Sequence, residues 1–100
     1  ELYWDAKNYE QAIKMYNKQT VEVKRMYVKP NFRGKGLAQK IIVELEKCAH
    51  ELGFKRCILE TGIRQKEAVS FYYKCNYEVI PKYGQYKEME NSICFEKKLS

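Results

Sequence analysis

The sequence predicts a single α/β (α+β) domain built on a strand–turn–helix–strand unit, and three stretches carry that prediction. Val21-Glu-Val-Lys-Arg-Met-Tyr-Val28 is rich in β-branched and aromatic residues that alternate with charged ones, the pattern of a strand with mixed faces. Leu37, Ala38, Ile41, Ile42, Leu45, Cys48, Ala49 and Leu52 keep helical spacing through successive turns. Phe54-Lys-Arg-Cys-Ile-Leu-Glu-Thr61 then returns as a strand, so the three elements form a right-handed parallel crossover. A chain of 100 residues suits one core and no second domain.

Taken in order, the chain opens on the apolar group Leu2-Tyr3-Trp4. Tyr9, Ala12, Ile13 and Tyr16 follow at i, i+3, i+4 and i+7, with Asp5 placed to cap them. This spacing predicts a helix from about Ala6 to Asn17. The strand Val21–Val28 puts Val21, Val23, Arg25 and Tyr27 on one face and Glu22, Lys24, Met26 and Val28 on the other. Lys29-Pro30-Asn31 ends it, because proline has no N–H for a continuing ladder. The long helix starts near Lys35, and Gly53 is its C-terminal cap. Gly62 releases the chain into a second helix, about Lys66 to Cys75, with Ala68, Phe71, Tyr72 and Cys75 on one side and Asn76 as a left-handed cap. Tyr77–Ile80 reads as a short strand, Pro81–Met89 as a polar, tyrosine-rich loop and Ile93–Leu99 as a final strand. The chain has no internal repeat.

Between the first strand and the long helix, Val28-Lys-Pro-Asn-Phe-Arg-Gly-Lys-Gly-Leu-Ala-Gln-Lys-Ile-Ile-Val43 forms an anion site by construction. A helix N-terminus has N–H groups without partners, and the helix dipole adds partial positive charge to them. Gly34 and Gly36 permit positive φ or close approach of a ligand, while Arg33, Lys35 and Lys40 add full charges. Such a junction can hold a pyrophosphate. A Walker loop would need Gly-x-x-x-x-Gly-Lys-Ser/Thr, and a dinucleotide fingerprint would need glycine where Gln39 stands. Both nucleotide readings fail.

Composition narrows the partners. The net charge of +6 and pI of about 9.1 favour an anionic ligand. The lysines are scattered along the chain instead of gathered into an arm, which speaks against nucleic acid. No apolar run spans a bilayer and no secretory signal opens the chain, so no membrane partner and a cytoplasmic location are expected. Cys48, Cys57, Cys75 and Cys94 are widely spaced, with His50 the one histidine, so small buried thiols are expected and neither a metal site nor a disulfide framework.

Arg33-x-x-Gly36-x-Ala38, preceded by Val28-x-Pro30, resembles the acyl-CoA pyrophosphate motif of the GNAT superfamily of N-acetyltransferases, usually written Arg/Gln-x-x-Gly-x-Gly/Ala. Ala68-Val-Ser-Phe-Tyr-Tyr-Lys-Cys-Asn-Tyr77 resembles that superfamily's second motif, Ala-x-x-x-Tyr-x-Lys-x-Gly-Phe. Gln65 stands where the family usually has asparagine and Asn76 where it has glycine. The likeness covers about Val21 to Leu99, the acetyl-CoA-binding catalytic half. It implies a GNAT-like mixed sheet with a V-shaped gap between Val21–Val28 and Phe54–Thr61 that takes the pantetheine arm. Acetyl-CoA as cosubstrate would be held by Met26, Tyr27, Val28, Arg33, Gly34, Lys35, Gly36, Leu37, Ala38, Gln65 and Tyr72, with an oxyanion donor in the backbone of Met26–Val28. The acceptor would be a primary amine of a small molecule or peptide.

Two catalytic roles follow from the resemblance. Tyr72 would return a proton to the CoA thiolate, or else be a core tyrosine; Glu22 would act as base, or else pair with Lys24 or a cross-strand lysine. Tyr83 or Tyr86 can line an acceptor pocket by cation–π attraction, the alternative being an exposed loop. Glu60 and Thr61, at the carboxyl end of a strand, read first as a strand-terminal polar pair. Rival readings are an acyl-CoA-binding or regulatory module without catalysis and a basic nucleic-acid-binding domain.

At the N-terminus the resemblance stops. GNAT domains place a strand, one or two helices and a hairpin before the strand equivalent to Val21–Val28, whereas twenty residues precede it here. N-terminal strands are therefore expected to be reduced or missing, leaving the edge beside Val21–Val28 open. Leu2-Tyr3-Trp4, a second protomer or residues of a longer chain would cover it, and a homodimer through that edge is the resulting expectation.

Overall fold

The structure, a computed structural model, describes residues 13–24 and 36–99. Its five strands are β1 (Ile13–Asn17), β2 (Thr20–Val23), β3 (Arg56–Gly62), β4 (Glu78–Ile80) and β5 (Ser92–Lys98), and its helices are α1 (Leu37–Glu51) and α2 (Lys66–Lys74). They form one mixed sheet in the order β1-β2-β3-β5-β4. β2 and β3 are parallel, and the other neighbours are antiparallel. The parallel pair and the helix between them are the crossover that the sequence predicts.

The helix expected over Ala6–Asn17 is corrected at its C-terminal end, where Ile13–Asn17 is a strand; residues 6–12 lie outside the described residues. β1 turns into β2 through Lys18-Gln19, with the Gln19 N–H donating to Asn17 Oδ1 at 2.9 Å. The carbonyl of Gln19 also accepts from the N–H groups of Lys55 and Arg56, at 2.7 and 3.1 Å, which ties the turn to the start of β3. The physical reason is backbone hydrogen bonding. β2 needs a partner on its outer side, and a hairpin supplies one at the cost of a weak helical propensity. The edge expected to stand open is therefore covered at Val21–Val23, which lie opposite Met15 and Ile13. Among the described residues the outer edge of the sheet is β1.

Both helices pack on one face of the sheet. Ile41, Ile42, Leu45 and Ala49 of α1, Tyr72 of α2 and Cys75 just after it join Val21, Val23, Cys57, Leu59, Tyr77 and Phe95 in one buried cluster. Each fully buried aliphatic side chain contributes about 1.5–3 kcal/mol, enough to fix α1 against the parallel pair. Leu52 closes α1, and Gly53, at φ 95°, takes the left-handed turn after it. Asn76 does the same after α2, at φ 70°. The opposite face carries Glu22, Ile58, Glu60, Ser92 and Cys94, and a segment containing the 3₁₀ helix Gly84–Glu88 crosses it. All four cysteines are free of disulfides, with Cys57, Cys75 and Cys94 buried. Among the described residues no helix is long and apolar enough to cross a membrane, and no cluster of His, Cys, Asp or Glu is gathered as a metal site.

Candidate active site

Because α1 connects two parallel strands, its N-terminus lies at the carboxyl ends of β2 and β3, the end at which α/β sheets place ligands. Gly36 precedes the helix at φ 73° and ψ 10°, and the Lys40 N–H donates to its carbonyl at 3.2 Å. The N–H groups of Leu37, Ala38 and Gln39 are thus left without helical acceptors. No side chain among the described residues caps this end, and the first turn holds no acid. An acid there would both satisfy the N–H groups and repel an anion, so a bare N-terminus suits a phosphate. Met26, Tyr27, Val28, Arg33, Gly34 and Lys35, also expected at this site, lie outside the described residues.

The parallel ladder is short. It runs from Thr20–Arg56 through Val21–Cys57 to Glu22–Ile58, whereas β3 continues to Gly62 with β5 as its partner. Leu59–Gly62 therefore have a ladder partner on one side only among the described residues. The expected V-shaped gap would open here, and residues 25–28, which form its other wall, lie outside the described residues. Gln65 is the exposed N-cap of α2 just beyond it, and offers no side-chain hydrogen bond to the helix.

Glu22 and Tyr72 stand on opposite faces of the sheet. Val21 and Val23 flank Glu22 and join the cluster that contains Tyr72, so Glu22 points away from the helices. Tyr72 is 7% exposed, its ring centroid 5.7 Å from that of Tyr77 and 5.8 Å from that of Phe95. The core reading of Tyr72 is thus realised in its ring packing, and a role for its hydroxyl is compatible with it. A group lying between β2 and β3 can reach both faces.

On the Glu22 face two adjoining clefts open. One, of about 310 Å³, is lined by Lys14, Tyr16, Glu22, Lys24, Tyr83 and Tyr86 among others; the second, of about 410 Å³, shares Glu22, Lys24 and Tyr86 and extends to Glu60 and Met89. The Tyr83 hydroxyl donates to Glu22 Oε2 at 2.9 Å. Burial, and then the hydrogen bond to Glu22 and its charge, push the Tyr83 phenol well above its ordinary value, so it stays protonated and remains a donor. Lys24 Nζ stands 3.9 Å from Glu22 Oε1. Glu60 accepts a hydrogen bond from Ser92 Oγ at 2.7 Å. Tyr16 was not foreseen here, because helical spacing assigned it to a packed stripe; the turn signal of Asn17 was the clue that it stands on a strand facing Tyr83.

Residues 4–77 match the model of the Acetyltransferase (GNAT) family. The chain belongs to this family. It is 46% identical over 59 residues to the uncharacterized N-acetyltransferase YjgM of Escherichia coli K12, covering 59% of this chain and 35% of that one. It is 32% identical over 78 residues to the IAA acetyltransferase of Azospirillum brasilense, covering 78% and 51%. Among solved structures, an acyl-CoA N-acyltransferase assigned from Klebsiella pneumoniae superposes with a TM-score of 0.83 at 31% identity over 88% of this chain and 61% of that one. The PaiA N-acetyltransferase of Thermoplasma acidophilum, in complex with coenzyme A, gives 0.73 at 27% over 86% and 50%. The chain spans about a third to a half of the length of these two sequence relatives. The segment that carries Tyr83 and Tyr86 follows the residues matched to the family model.

Proposed function

We propose that the protein transfers an acetyl group from acetyl-CoA to a primary amine of a small molecule or peptide. The observation that carries this reading is that, among the described residues, the β2–β3 ladder ends at Glu22, a carboxylate, and the N-terminus of the helix between these strands has no side-chain cap. Backbone N–H groups of Leu37, Ala38 and Gln39 bind the pyrophosphate, and Gln65 borders the same opening. Met26–Val28 supply the backbone donor for the negative charge that develops on the acetyl oxygen. An amine reaches the cleft as its ammonium ion. Glu22, directly or through water, takes its proton, and the freed lone pair forms the new N–C bond as the C–S bond breaks. Tyr72 gives its phenolic proton to the departing thiolate and regains one from solvent, while the second proton of the acylated nitrogen leaves to water to give the neutral amide.

The test has two parts. Acetyl-CoA at ~100 times its Kd should stabilise the protein by about 2.7 kcal/mol, and release of CoA thiol should depend on added amine. No stabilisation at millimolar acetyl-CoA would refute the reading. Stabilisation without turnover across a broad amine panel would instead favour an acyl-CoA-binding module.

A further inference from the structure

We propose that the cleft beside Glu22 selects an acceptor bearing an acidic group close to its amine, that is, a small amino acid. This rests on the acetyl-transfer reading above and specifies its acceptor. The cleft is bipolar. Glu22 is its one carboxylate among the described residues, and its side chain is 14% exposed. Lys14 faces Glu22 directly across the β1–β2 ladder, and Lys24 lies two residues on along the same face. Both lysines line the opening. Among the described residues Lys14 has no carboxylate within ion-pair distance.

These charges discriminate between acceptor classes. A simple alkylammonium ion approaching Glu22 must pass two like charges, and a diamine meets the same repulsion twice. A second carboxylate, Glu60, borders the adjoining cleft, but its Oε2 accepts from Ser92. A zwitterion satisfies both signs at once. Its ammonium goes to Glu22 and the tyrosine rings, and its carboxylate to Lys14 and Lys24. Tyr83 makes edge-to-face contacts with Tyr16 and with Tyr86, each at 5.4 Å between centroids, so three rings gather beside the carboxylate as a surface for a cation. The existing Lys24–Glu22 contact, at 3.9 Å with Lys24 half exposed, is a weak surface pair that a ligand carboxylate can replace. A cleft of about 310 Å³ lies at the small end of ligand pockets, which suits a single amino acid.

The experiment compares small amino acids with their carboxamides, their decarboxylated amines and diamines of equal length, by acetyl-CoA-dependent thiol release. The best amino acid should exceed its carboxamide by about 10-fold or more in kcat/KM, the worth of one charge-assisted hydrogen bond. In a Lys14→Gln, Lys24→Gln double variant that ratio should collapse through a raised KM for the amino acid. Thermal stabilisation by acetyl-CoA in the same variant establishes that it folds and binds the cosubstrate. Amides, plain amines or diamines used as well as amino acids would overturn the proposal, as would a ratio that survives the double variant. If acetyl-CoA stabilises the protein and amides serve equally, the amino-acid acceptor fails alone. If no amine turns over, the thermal shift produced by the amino acid against that by its amide decides, and equal shifts refute the proposal.

Discussion

Gly36 holds φ 73°, yet a Cβ placed there would meet nothing within 4 Å among the described residues. What the position demands is therefore a backbone conformation and not empty space, and this separates two substitutions of similar bulk. In the left-handed region an L-residue costs about 1–2 kcal/mol, and a β-branched one is a marked outlier, whereas asparagine is tolerated. Gly36→Val should thus weaken acetyl-CoA binding about 10-fold or more by tilting the first N–H groups of α1, while Gly36→Asn stays close to the native protein. Titration of the cosubstrate, with thermal melts as a control for folding, checks this; equal affinities for all three proteins would show that the turn does not serve the cosubstrate. Tyr72→Phe asks the complementary question, since the ring keeps its packing on Tyr77 and Phe95 and only the hydroxyl is lost. It should lower kcat by ~10² to 10⁴ with cosubstrate affinity retained. A change of less than about threefold, measured where chemistry limits the rate, would leave Tyr72 as a core residue alone. At this scale the sequence was informative where one residue type answers one geometric need, as at Gly36 and at Asn76, both left-handed. It was silent on Lys14 and Tyr16, whose importance arises only when β1 lies beside Glu22.

Among the elements, those whose sequence period agrees with their surroundings were legible. α1 and α2 stand within a residue or two of the spans their apolar spacing predicts, and β3 and β5 likewise. β1 was not legible, because Ile13 and Tyr16 fit a helical stripe as well as a strand, and the deciding force is the unpaired backbone of β2, which is not local to them. A second non-local device joins α1 to β5 and to Tyr77, just before β4, on the same face of the sheet. Glu46 of α1 accepts from the Tyr77 hydroxyl and from Lys97 Nζ of β5, each at 2.9 Å, and the Lys97 ammonium stands 5.7 Å from the centre of the Tyr77 ring. This clamp lies along the body of α1, whose N-terminus presents the N–H groups, so it bears on the site through the orientation of the helix. Tyr77→Phe removes one donor to a carboxylate that Lys97 still neutralises. The expected loss is about 1–2 kcal/mol, or roughly 4–16 °C in Tm for a domain of this size. Acetyl-CoA affinity should fall far less than in Gly36→Val, because helix packing on Val21, Val23 and Leu59 remains. A melt unchanged within 1 °C would show that the clamp contributes nothing, in practice a loss well below ~0.5 kcal/mol.

For the molecule as a whole, the buried thiols and phenols set an alkaline limit on stability. Cys57 is fully buried, and that burial, reinforced by the charge of Glu46 and partly opposed by Tyr77 and Lys97, pushes its thiol from 9.0 up to about 12. Burial likewise raises Cys75 and Cys94, and it raises the phenols of Tyr77 and Tyr83 above their usual 10.0. The sign is the same for all five groups. Above its ordinary pKa each group is deprotonated in the unfolded chain and still protonated in the folded one, so the native state binds more protons and stability falls as pH rises. The contribution of Cys57 is fully present below pH 9 and is lost progressively between 9 and about 12, at up to about 1.4 kcal/mol per pH unit. Melting in the presence of a thiol reductant should therefore be nearly level from pH 7 to 8.5 and then decline by roughly 5 °C or more per unit. The decisive comparison lies between pH 9 and 10, at the lower end of that window. Cys57→Ala supplies it: the variant starts lower at pH 7 because of the small cavity it creates, but loses stability less steeply between pH 9 and 10. Parallel curves for the native protein and the variant over that interval would mean that the Cys57 thiol ionises as readily in the folded chain as in the unfolded one, and the account of the alkaline limit would fall with it.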